Sequence, residues 1–580
     1  MVNFCASCGT YIPVGLVDCP TCGPRIKPSP QLKEISPSEL SARDVLELFP
    51  SRTFREHQKE TITKMVEAFT SGVRCILLVA PTGSGKSYVN ASLTSATRSF
   101  YATPQLALID QILRDPLLEG RFVEIKGRQN YRCYYDRSRG VHVGKCETER
   151  YPCNERLDIC TYWMQKMRAL KASSVLLSLA YLISEGQTEG RSETYLGKRA
   201  LMVLDEAHNL EEQCLNHISV RLNPFSIPYD IYDEITRDLR EVTTDVELGR
   251  LLESLEAKLS RLLEQLKQKS ETSELSINQA ENKELIERYL ASYYLYMNSK
   301  SEWVWQIRNN QLLLQPVFAK EFMKQLLWKR ADYYVISSAT ILDPEEFVEL
   351  TGLTMILERD EIQVLEAPST FPVENRPIID ATVGPLSKQE WDKNMPKAVK
   401  TVAEILRKEK GKVAIHSHSY HHQRSLVERL PADLKHRLIV HTSRDREEKL
   451  KEWMRSRGKV FVSVAFNEGQ DWKYDLCDAQ ILLKVPFADL SDRRMSRRLQ
   501  LGHRKWYENQ AMMEVIQAYG RAIRADDDRA GFYVVDGSFQ KLVKDCWANI
   551  PEWFKEALPP SLQPDRVEVS EVTPELGVSK

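Results

Sequence analysis

Two short motifs, each placed directly after a short apolar run, constrain the fold more than any other feature of this sequence. The run 74–80 leads into the loop Ala80-Pro-Thr-Gly-Ser-Gly-Lys-Ser87, and the run 199–204 leads into Asp205-Glu-Ala-His208. An apolar run of this kind is a buried parallel strand, and the helix that follows the glycine loop offers its N-terminus to phosphates. Similar runs lie at 333–338, 412–416, 459–464, 481–485 and 531–535. We therefore predict an α/β protein with two parallel sheets.

The residues of the loop suit the binding of phosphates and Mg²⁺, and those of the Asp-Glu-Ala-His box suit the binding of Mg²⁺ and the activation of water. Lys86 can reach the β- and γ-phosphates, and Ser87 can ligate Mg²⁺. Asp205 would hold the same Mg²⁺, and Glu206 would orient and deprotonate the attacking water. We therefore predict a site for ATP and Mg²⁺.

Two further motifs fit this site. Gln58, in Phe54-Arg-Glu-His-Gln58, could read the adenine edge, although a glutamine at a polar helix start is commonly only solvated. The segment 517–524 reads Gln-Ala-Tyr-Gly-Arg-Ala-Ile-Arg, which puts Arg521 and Arg524 on one helix face. Their guanidinium groups could stabilise transition-state charge on the γ-phosphate, or they could form surface salt bridges. The presence of the loop and the box favours the first reading.

Eight of the 12 cysteines form two groups of four. Cys5-x-x-Cys8 and Cys19-x-x-Cys22 have the spacing of a zinc ribbon, which we predict at 1–30. The second group lies between the glycine loop and the box and indicates a metal centre inside the first sheet domain; it consists of Cys133, Cys146, Cys153 and Cys160. The four scattered cysteines, which we expect to be buried hydrophobes, are Cys75, Cys214, Cys477 and Cys546.

The region 211–330 has a helical pattern instead of a strand pattern. Leucines step by four and three, as in a heptad seam, at Leu248, Leu252, Leu255, Leu259, Leu262 and Leu266. A second stretch, 284–297, offers Leu285, Tyr289, Tyr293 and Tyr296 as a partner face. We predict an antiparallel helical hairpin inserted in the first domain, with an ordinary helical core as the alternative.

Charge and hydropathy limit the partners. With 80 basic and 81 acidic residues, a general attraction to nucleic acid is absent, so phosphate contacts must come from local clusters. No apolar run approaches the ~20 residues that span a bilayer, and the start is not a signal peptide. We expect a cytoplasmic protein without membrane contact, and we leave a nucleoid or nuclear location open.

In order along the chain, the loop, the box, Ser338-Ala-Thr340 and 517–524 resemble the helicase motifs of superfamily two. More specifically, Ile125-Lys-Gly-Arg-Gln-Asn-Tyr-Arg-Cys133 resembles the entry to the iron–sulfur domain of XPD and DinG helicases. Cys160-x-Tyr with the segment 172–181 resembles the exit of that domain. The segments 466–471 and 484–489 resemble later family motifs. The resemblance covers roughly residues 50–550, and the helical insertion matches in position only.

This resemblance implies two RecA-like motor domains, a helical Arch domain and a 4Fe–4S cluster on the second cysteine group. It also implies ATP-driven 5′-to-3′ translocation on single-stranded DNA and unwinding of forked DNA. By analogy, Gly469 and Asp471 would couple the nucleotide state to DNA grip. The cysteine spacings of 12, 6 and 6 residues lack the family's close middle pair. Iron–sulfur ligation does not dictate one spacing, and zinc remains the alternative.

The predicted domains begin with a zinc ribbon (1–30) and a linker (31–50). The first motor domain follows in three pieces (51–125, 171–210 and 331–375), which are interrupted by the iron–sulfur domain (126–170) and the Arch-like insertion (211–330). The second motor domain (376–558) and a disordered tail (559–580) complete the prediction. The predicted nucleotide-binding residues are Gln58, Thr82, Gly83, Ser84, Gly85, Lys86, Ser87, Gly469, Asp471 and Gln517. The predicted catalytic residues are Lys86, Asp205, Glu206, Arg521 and Arg524.

Other readings stay open. The chain could be a DNA-stimulated translocase that remodels complexes without separating strands, or a nucleic-acid-binding protein whose ATPase has decayed. The ribbon, absent from the family core, could bind a protein partner, and we expect a monomer. Basic and aromatic residues near the second cysteine group suit DNA or a packing shell; they are Lys126, Arg128, Tyr131, Arg132, Tyr134 and Tyr135. The histidines His416, His418, His421 and His422 could bind a metal, but we favour polar loop residues near DNA.

Overall fold

The structure is a computed structural model that describes the strands at 3–4 and 11–12 and residues 35–151, 159–187, 195–369, 371–464, 477–521 and 528–564. Several predicted site residues therefore lie outside the described residues, namely Cys5, Cys8, Cys19, Cys22, Cys153, Gly469, Asp471 and Arg524. The chain divides into two compact units. Unit 1 contains Met1–Ser369 and Asp489–Arg504, and unit 2 contains Thr370–Ala488 and Lys505–Lys580.

The strands of the described residues, in chain order, are β1 (Asn3–Phe4), β2 (Tyr11–Ile12), β3 (Cys75–Val79), β4 (Ser99–Thr103), β5 (Val123–Ile125), β6 (Ser174–Ser178), β7 (Arg199–Asp205), β8 (Val220–Leu222), β9 (Trp303–Arg308), β10 (Gln311–Pro316), β11 (Ala331–Ser338), β12 (Ile362–Glu366), β13 (Ile378–Asp380), β14 (Val413–His416), β15 (Leu438–Val440), β16 (Val460–Ser463), β17 (Ala479–Leu482) and β18 (Gly531–Val534).

The α-helices of the same residues are α1 (Ala42–Glu47), α2 (Gln58–Thr70), α3 (Lys86–Ala96), α4 (Leu106–Arg114), α5 (Lys145–Thr148), α6 (Thr161–Lys171), α7 (Leu179–Gln187), α8 (Leu210–Ile218), α9 (Tyr229–Glu241), α10 (Asp245–Thr272), α11 (Ile277–Met297), α12 (Lys320–Leu326), α13 (Pro344–Leu350), α14 (Trp391–Lys408), α15 (Tyr420–Arg429), α16 (Ala432–Lys435), α17 (Arg446–Arg455), α18 (Arg493–Gln500), α19 (Arg504–Tyr519), α20 (Ser538–Cys546) and α21 (Glu552–Lys555). None of these helices is both long and apolar enough to cross a membrane.

Unit 1 is built on a parallel sheet with the order β12-β3-β11-β7-β4-β6-β5. Strands β3, β4 and β6 are buried along their whole length, as expected for a parallel sheet covered on both faces. The glycine loop follows β3, the Asp-Glu-Ala-His box follows β7, and β11 lies between these two strands. The order of the strands thus brings motifs that are more than a hundred residues apart to one sheet edge.

Unit 1 also carries the predicted hairpin, formed by α10 and α11. Thr244 caps α10 and Ser276 caps α11, each through a reciprocal capping box with Glu247 or Gln279. The leucine seam is buried except at Leu262, which is partly buried. The partner face differs from the prediction, because Ile286 and Leu290 pack there with Tyr289 and Tyr293 while Leu285 is only partly buried. Below the hairpin, the antiparallel sheet β8-β10-β9 was not predicted.

Unit 2 contains a second parallel sheet with the order β13-β18-β17-β14-β16-β15. The predicted pair of parallel sheets is therefore confirmed. The range 376–558 did not anticipate that the segment 489–504, with α18, would pack in unit 1. There the Arg494 and Arg498 guanidinium groups, both buried, pair with the carboxylate of Glu211 in the first turn of α8. Both guanidinium groups also donate to the carbonyl of Val317, just after β10.

Two predicted boundary segments contain ordered residues. The linker at 31–50 contains α1 from Ala42, and Leu40, Val45 and Phe49 are buried against the first sheet's helices. The tail predicted from 559 begins with an ordered turn, in which Leu562 is 1% exposed. In both segments a few apolar residues among prolines and serines are enough to dock the chain on a core.

Candidate active site

The glycine loop joins β3 to α3 through two residues with left-handed backbone. Gly83 has φ of 82° and Gly85 has φ of 83°, values that residues other than glycine rarely adopt. A Cβ at Gly85 would also lie 2.1 Å from the Nε2 atom of Gln58. Glycine at this position therefore serves both the turn and the close approach of another side chain.

Gln58, at the start of α2, is buried rather than solvated, with 3% of its surface exposed. Its Nε2 group donates to the carbonyl of Ser84 at 3.1 Å, and its Oε1 atom accepts from the backbone N–H of Arg55 at 2.8 Å. The Arg55 side chain in turn donates to the carbonyl of Gly83. Gln58 and Arg55 thus fix the loop conformation, and contact with adenine stays a prediction.

Lys86 begins α3 and is buried with its ammonium group inside the loop. Its Nζ atom donates to the carbonyl of Ala80 at 2.9 Å and lies 3.9 Å from Oε1 of Glu206. The loop and the box therefore meet, as their motifs predict. A cation here faces the place where phosphate charge would be held.

Asp205, the last residue of β7, has a carboxylate held by buried donors. Oδ2 accepts from the Tyr101 hydroxyl at 2.7 Å, and Oδ1 accepts from the Ser337 hydroxyl at 3.0 Å and the Glu206 backbone N–H at 3.0 Å. The Asn90 amide donates to the Ser337 hydroxyl at 2.9 Å. Burial first, and then the neighbouring Glu206 carboxylate, raise the pKa of Asp205 above its ordinary value.

Glu206 and His208 complete the site in unit 1. Glu206 has φ of 50°, a left-handed conformation that is uncommon outside glycine and asparagine. The Nδ1 atom of His208 lies 3.0 Å from the hydroxyl of Ser338 and 3.5 Å from Oε2 of Glu206. The predicted Ser-Ala-Thr motif after β11 thus contacts the box directly.

Unit 2 carries the remaining predicted residues. Gln517 lies on α19, and Arg521 follows that helix with 5% of its surface exposed. His416, at the end of β14, bonds through Nε2 to the amide oxygen of Gln480 at 3.0 Å, and burial lowers its pKa to about 3. His416 is therefore a neutral core residue. The rings of His421 and His422 pack against Trp391, and the His418 ring stacks on His422. No metal-ligating group of three side chains is found among the described residues.

Three of the four cysteines of the second group are described. Cys133 and Cys160 are buried, and Cys146 is partly buried. The Thr161 hydroxyl donates to the carbonyl of Arg132 at 2.7 Å, so the residues next to Cys133 and Cys160 are in contact. A Cβ at Gly144 would lie 3.1 Å from Sγ of Cys133, which places the turn before Cys146 against that thiol. Among the described residues these three thiols do not form a ligand group by themselves, and the fourth cysteine, Cys153, lies outside the described residues.

We call residues 126–170 the cysteine insertion, and β8–β10 with α9–α11 the hairpin insertion. Both grow from the unit 1 sheet and meet at their far ends. The Leu275 N–H, in the turn between α10 and α11, donates to the Thr148 carbonyl at 2.8 Å. The Glu147 carboxylate lies 2.5 Å from the Arg128 guanidinium and 3.5 Å from the Lys283 ammonium. The insertions and the sheet therefore form a closed ring of contacts.

The residues that sequence reasoning missed are those that support the charged groups. Tyr101 and Asn90 stand behind Asp205, and Arg494 and Arg498 hold the helix after the box. In the sequence, Tyr101 could have been noticed only as a tyrosine inside the apolar run 99–103, which precedes the strand that leads into the Asp-Glu-Ala-His box. The arginines gave no local signal, because their partner Glu211 is almost 300 residues away.

Comparisons with known proteins agree with this geometry. Residues 402–557 match the family model of the helicase C-terminal domain, and residues 51–236 match that of the type III restriction enzyme res subunit. The ATP-dependent DNA helicase DinG of Photobacterium profundum is 26% identical over 233 residues, which cover 37% of this chain. That match spans 33% of the length of DinG.

Solved XPD structures share the fold. An XPD helicase superposes with a TM-score of 0.60 at 17% identity, covering 86% of this chain and 98% of the other. The Xpd4 protein of S. tokodaii superposes with a TM-score of 0.54 at 15% identity, covering 87% and 99%. The chain thus has the fold of these XPD structures. Its similarity to XPD and DinG confirms the resemblance predicted from its motifs.

Proposed function

We propose that this protein is an ATP-dependent DNA helicase that moves along single-stranded DNA, 5′ to 3′, and unwinds forked duplexes. The observation that carries the proposal is the meeting of Lys86, Asp205 and Glu206 at one sheet edge of an XPD-like fold. All three charges required for phosphoryl transfer to water are present, and each has a structural partner.

In the proposed reaction, each residue of the site has one task. Lys86 and the loop N–H groups bind the phosphates, and Ser87 and Asp205 would hold Mg²⁺, which neutralises charge on the β- and γ-oxygens. Glu206 orients the water and accepts its proton. Its left-handed backbone turns the carboxylate back toward Lys86, and the His208–Ser338 contact ties it to the strand beside the loop. Arg521 and Arg524 are proposed to stabilise the γ-phosphate charge.

The ring of contacts in unit 1 supports single-stranded DNA as the track. Tyr134 and Tyr151, in the cysteine insertion, expose 44% and 38% of their surface, and Lys145 lies over the Tyr151 ring at 5.1 Å. Exposed aromatic rings beside cations suit stacked bases and backbone phosphates. We propose that one strand passes through the ring while the other is excluded.

Cys133, Cys146 and Cys160, with Cys153, would hold a 4Fe–4S cluster in this proposal. The cluster would supply a rigid covalent centre that ties together a segment with only two short helices, α5 and α6, in its described part. Zinc is the alternative metal. Iron, sulfide and zinc analysis of protein purified without oxygen separates the two. About four irons with one zinc would indicate the cluster and the predicted N-terminal ribbon, and two zincs without iron would indicate zinc in both cysteine groups.

The proposal is tested by measuring ATP hydrolysis and strand separation on the same DNA. Duplexes with a single 5′ tail or a single 3′ tail are compared with blunt duplex and with single strands. We expect DNA-stimulated ATP turnover and unwinding of the 5′-tailed duplex. ATP turnover without strand separation on any substrate would favour the translocase, and no turnover with DNA would revive the decayed ATPase.

A further inference from the structure

The carboxylate of Asp205 is supported from both neighbouring strands of the sheet. In the strand order β11-β7-β4, Ser337 lies directly beside Asp205 on one side, and Tyr101 lies on the strand at the other side. Each side contributes one hydroxyl donor, and the two donors bind different oxygens of the carboxylate. Rotation of the carboxylate about its Cβ–Cγ bond would break both hydrogen bonds.

We propose that Tyr101 is a positioning residue for Mg²⁺, because its hydroxyl fixes the Asp205 carboxylate in the orientation that ligates the metal. This inference rests on the proposed ATPase function of the site. Ser337 fixes the second oxygen, and Asn90, on the helix after the glycine loop, in turn holds the Ser337 hydroxyl through its amide. The loop helix and two strands thus converge on one metal ligand.

The tyrosine is placed as a donor to one oxygen of the carboxylate. Tyr101 is fully buried, and its hydroxyl lies 2.7 Å from Oδ2 of Asp205. A phenol O–H donates this hydrogen bond to the carboxylate oxygen. Within the described residues, Oδ2 of Asp205 accepts only this one hydrogen bond, so it keeps acceptor capacity for a cation.

A hydrogen bond from a buried hydroxyl to a metal ligand acts on affinity for the metal more than on the fold. It lowers the cost of keeping the carboxylate ionised away from water, and it removes the entropy of ordering the ligand on binding. The Tyr101 ring packs edge-on against Phe122 at 5.4 Å between centroids. A phenylalanine at position 101 keeps this packing and loses only the hydroxyl.

The test is Tyr101→Phe, with Tyr334→Phe as the matched control. Tyr334 is also a buried tyrosine of this sheet, but its hydroxyl donates to the backbone carbonyls of Trp328 and Ala331. Binding of fluorescent ADP is titrated with Mg²⁺, alongside the Mg²⁺ dependence of ATP hydrolysis. We expect Tyr101→Phe to weaken Mg²⁺ about tenfold or more, as for other supports of metal ligands, and to leave metal-free nucleotide binding unchanged.

Two results would overturn the proposal: a wild-type Mg²⁺ dependence in Tyr101→Phe, or an equal loss in Tyr334→Phe. If Tyr101→Phe does not fold, Ser337→Ala removes the donor on the other oxygen and must shift the Mg²⁺ dependence in the same direction. A wild-type protein that binds Mg²⁺ and ADP without hydrolysing ATP would contradict the proposed helicase and still allow the titration to decide the role of Tyr101.

Discussion

The nucleotide site and the cysteine insertion are held in place by different kinds of contacts. At the nucleotide site, Lys86 and Asp205 are buried at the end of one parallel sheet, and the Asp205 carboxylate alone accepts three hydrogen bonds from buried or partly buried groups. At the far end of the cysteine insertion, Arg128, Glu147 and Lys283 are each 21–38% exposed at the side chain. Buried networks resist opening, whereas half-exposed ion pairs open readily.

This difference indicates a division of labour within unit 1. A site for chemistry needs groups that are in place before the substrate arrives. In the proposed function the ring admits a DNA strand, and this needs at least one contact that can break at low cost. The contact between the insertions includes one backbone hydrogen bond and an ion-pair group whose side chains are partly exposed.

The largest expected effect comes from the nucleotide site itself. Lys86→Ala and Glu206→Gln should each lower DNA-stimulated ATP turnover at least a hundredfold, roughly the loss seen when one charge-stabilising group is removed from an active site. Lys64→Ala, which removes an exposed lysine of α2, is the control and should retain full turnover. Normal turnover in either site variant, with the melting temperature unchanged, would contradict the assignment of the active site.

Removal of a cysteine from the cysteine insertion should affect strand separation more than ATP turnover. Cys133→Ser is expected to lose the metal and strand separation while it keeps part of its ATP turnover, because the nucleotide site contains no residue of this insertion. Cys546→Ser, a change at a buried cysteine of unit 2, is the control for thiol loss. Metal content and unwinding of tailed duplex are measured on the same preparation. Full unwinding by Cys133→Ser would show that the insertion is dispensable.

A third change compares a buried charge with an exposed one on the same helix turn. The Glu211 pKa would be raised by burial, but Arg498 and Arg494 outweigh that effect and hold it below its ordinary value. Glu211→Ala leaves both guanidinium groups without this partner and should lower the free energy of unfolding by about 3 kcal/mol. Glu212→Ala, at a 55% exposed side chain, should cost at most about 1 kcal/mol. Urea titration measures both, and equal losses would contradict the role of burial.

The sequence predicted the nucleotide site well because its residues stand at the ends of buried strands. Parallel strands end at the same sheet edge, so Lys86, Asp205 and Ser338 could be brought together without knowing the packing. The support of these residues could not be predicted. Tyr101 becomes a partner of Asp205 only through the strand order, and Arg498 finds Glu211 only because α18 packs in unit 1.

The insertions show the same limit. The leucine spacing predicted α10, and the structure confirms its buried seam. It could not show that Ile286 replaces Leu285 in the partner face, because two adjacent apolar residues satisfy the helical period almost equally. The sheet β8-β10-β9 was missed because its strands lie between strongly helical segments.

The smallest expected effect concerns the contact between the two insertions. Burial would raise the pKa of Glu147, but Arg128 and Lys283 outweigh it and hold the pKa below the ordinary value. The stabilisation is therefore present at pH values above the unfolded-state pKa of about 4.3 and is lost as pH falls through the lower folded-state value.

Glu147→Gln should lower the hydrogen-exchange protection of the Leu275 amide at neutral pH by only a few-fold, corresponding to about 1 kcal/mol. The variant should then lose no further protection at Leu275 on acidification, whereas the wild type should.

The exchange rates are corrected for their intrinsic pH dependence. Glu284→Gln, at a more exposed carboxylate on the same helix as Lys283, is the control. If the protection of the Leu275 amide is the same in both variants, at neutral and at acidic pH, then the backbone hydrogen bond alone closes the ring.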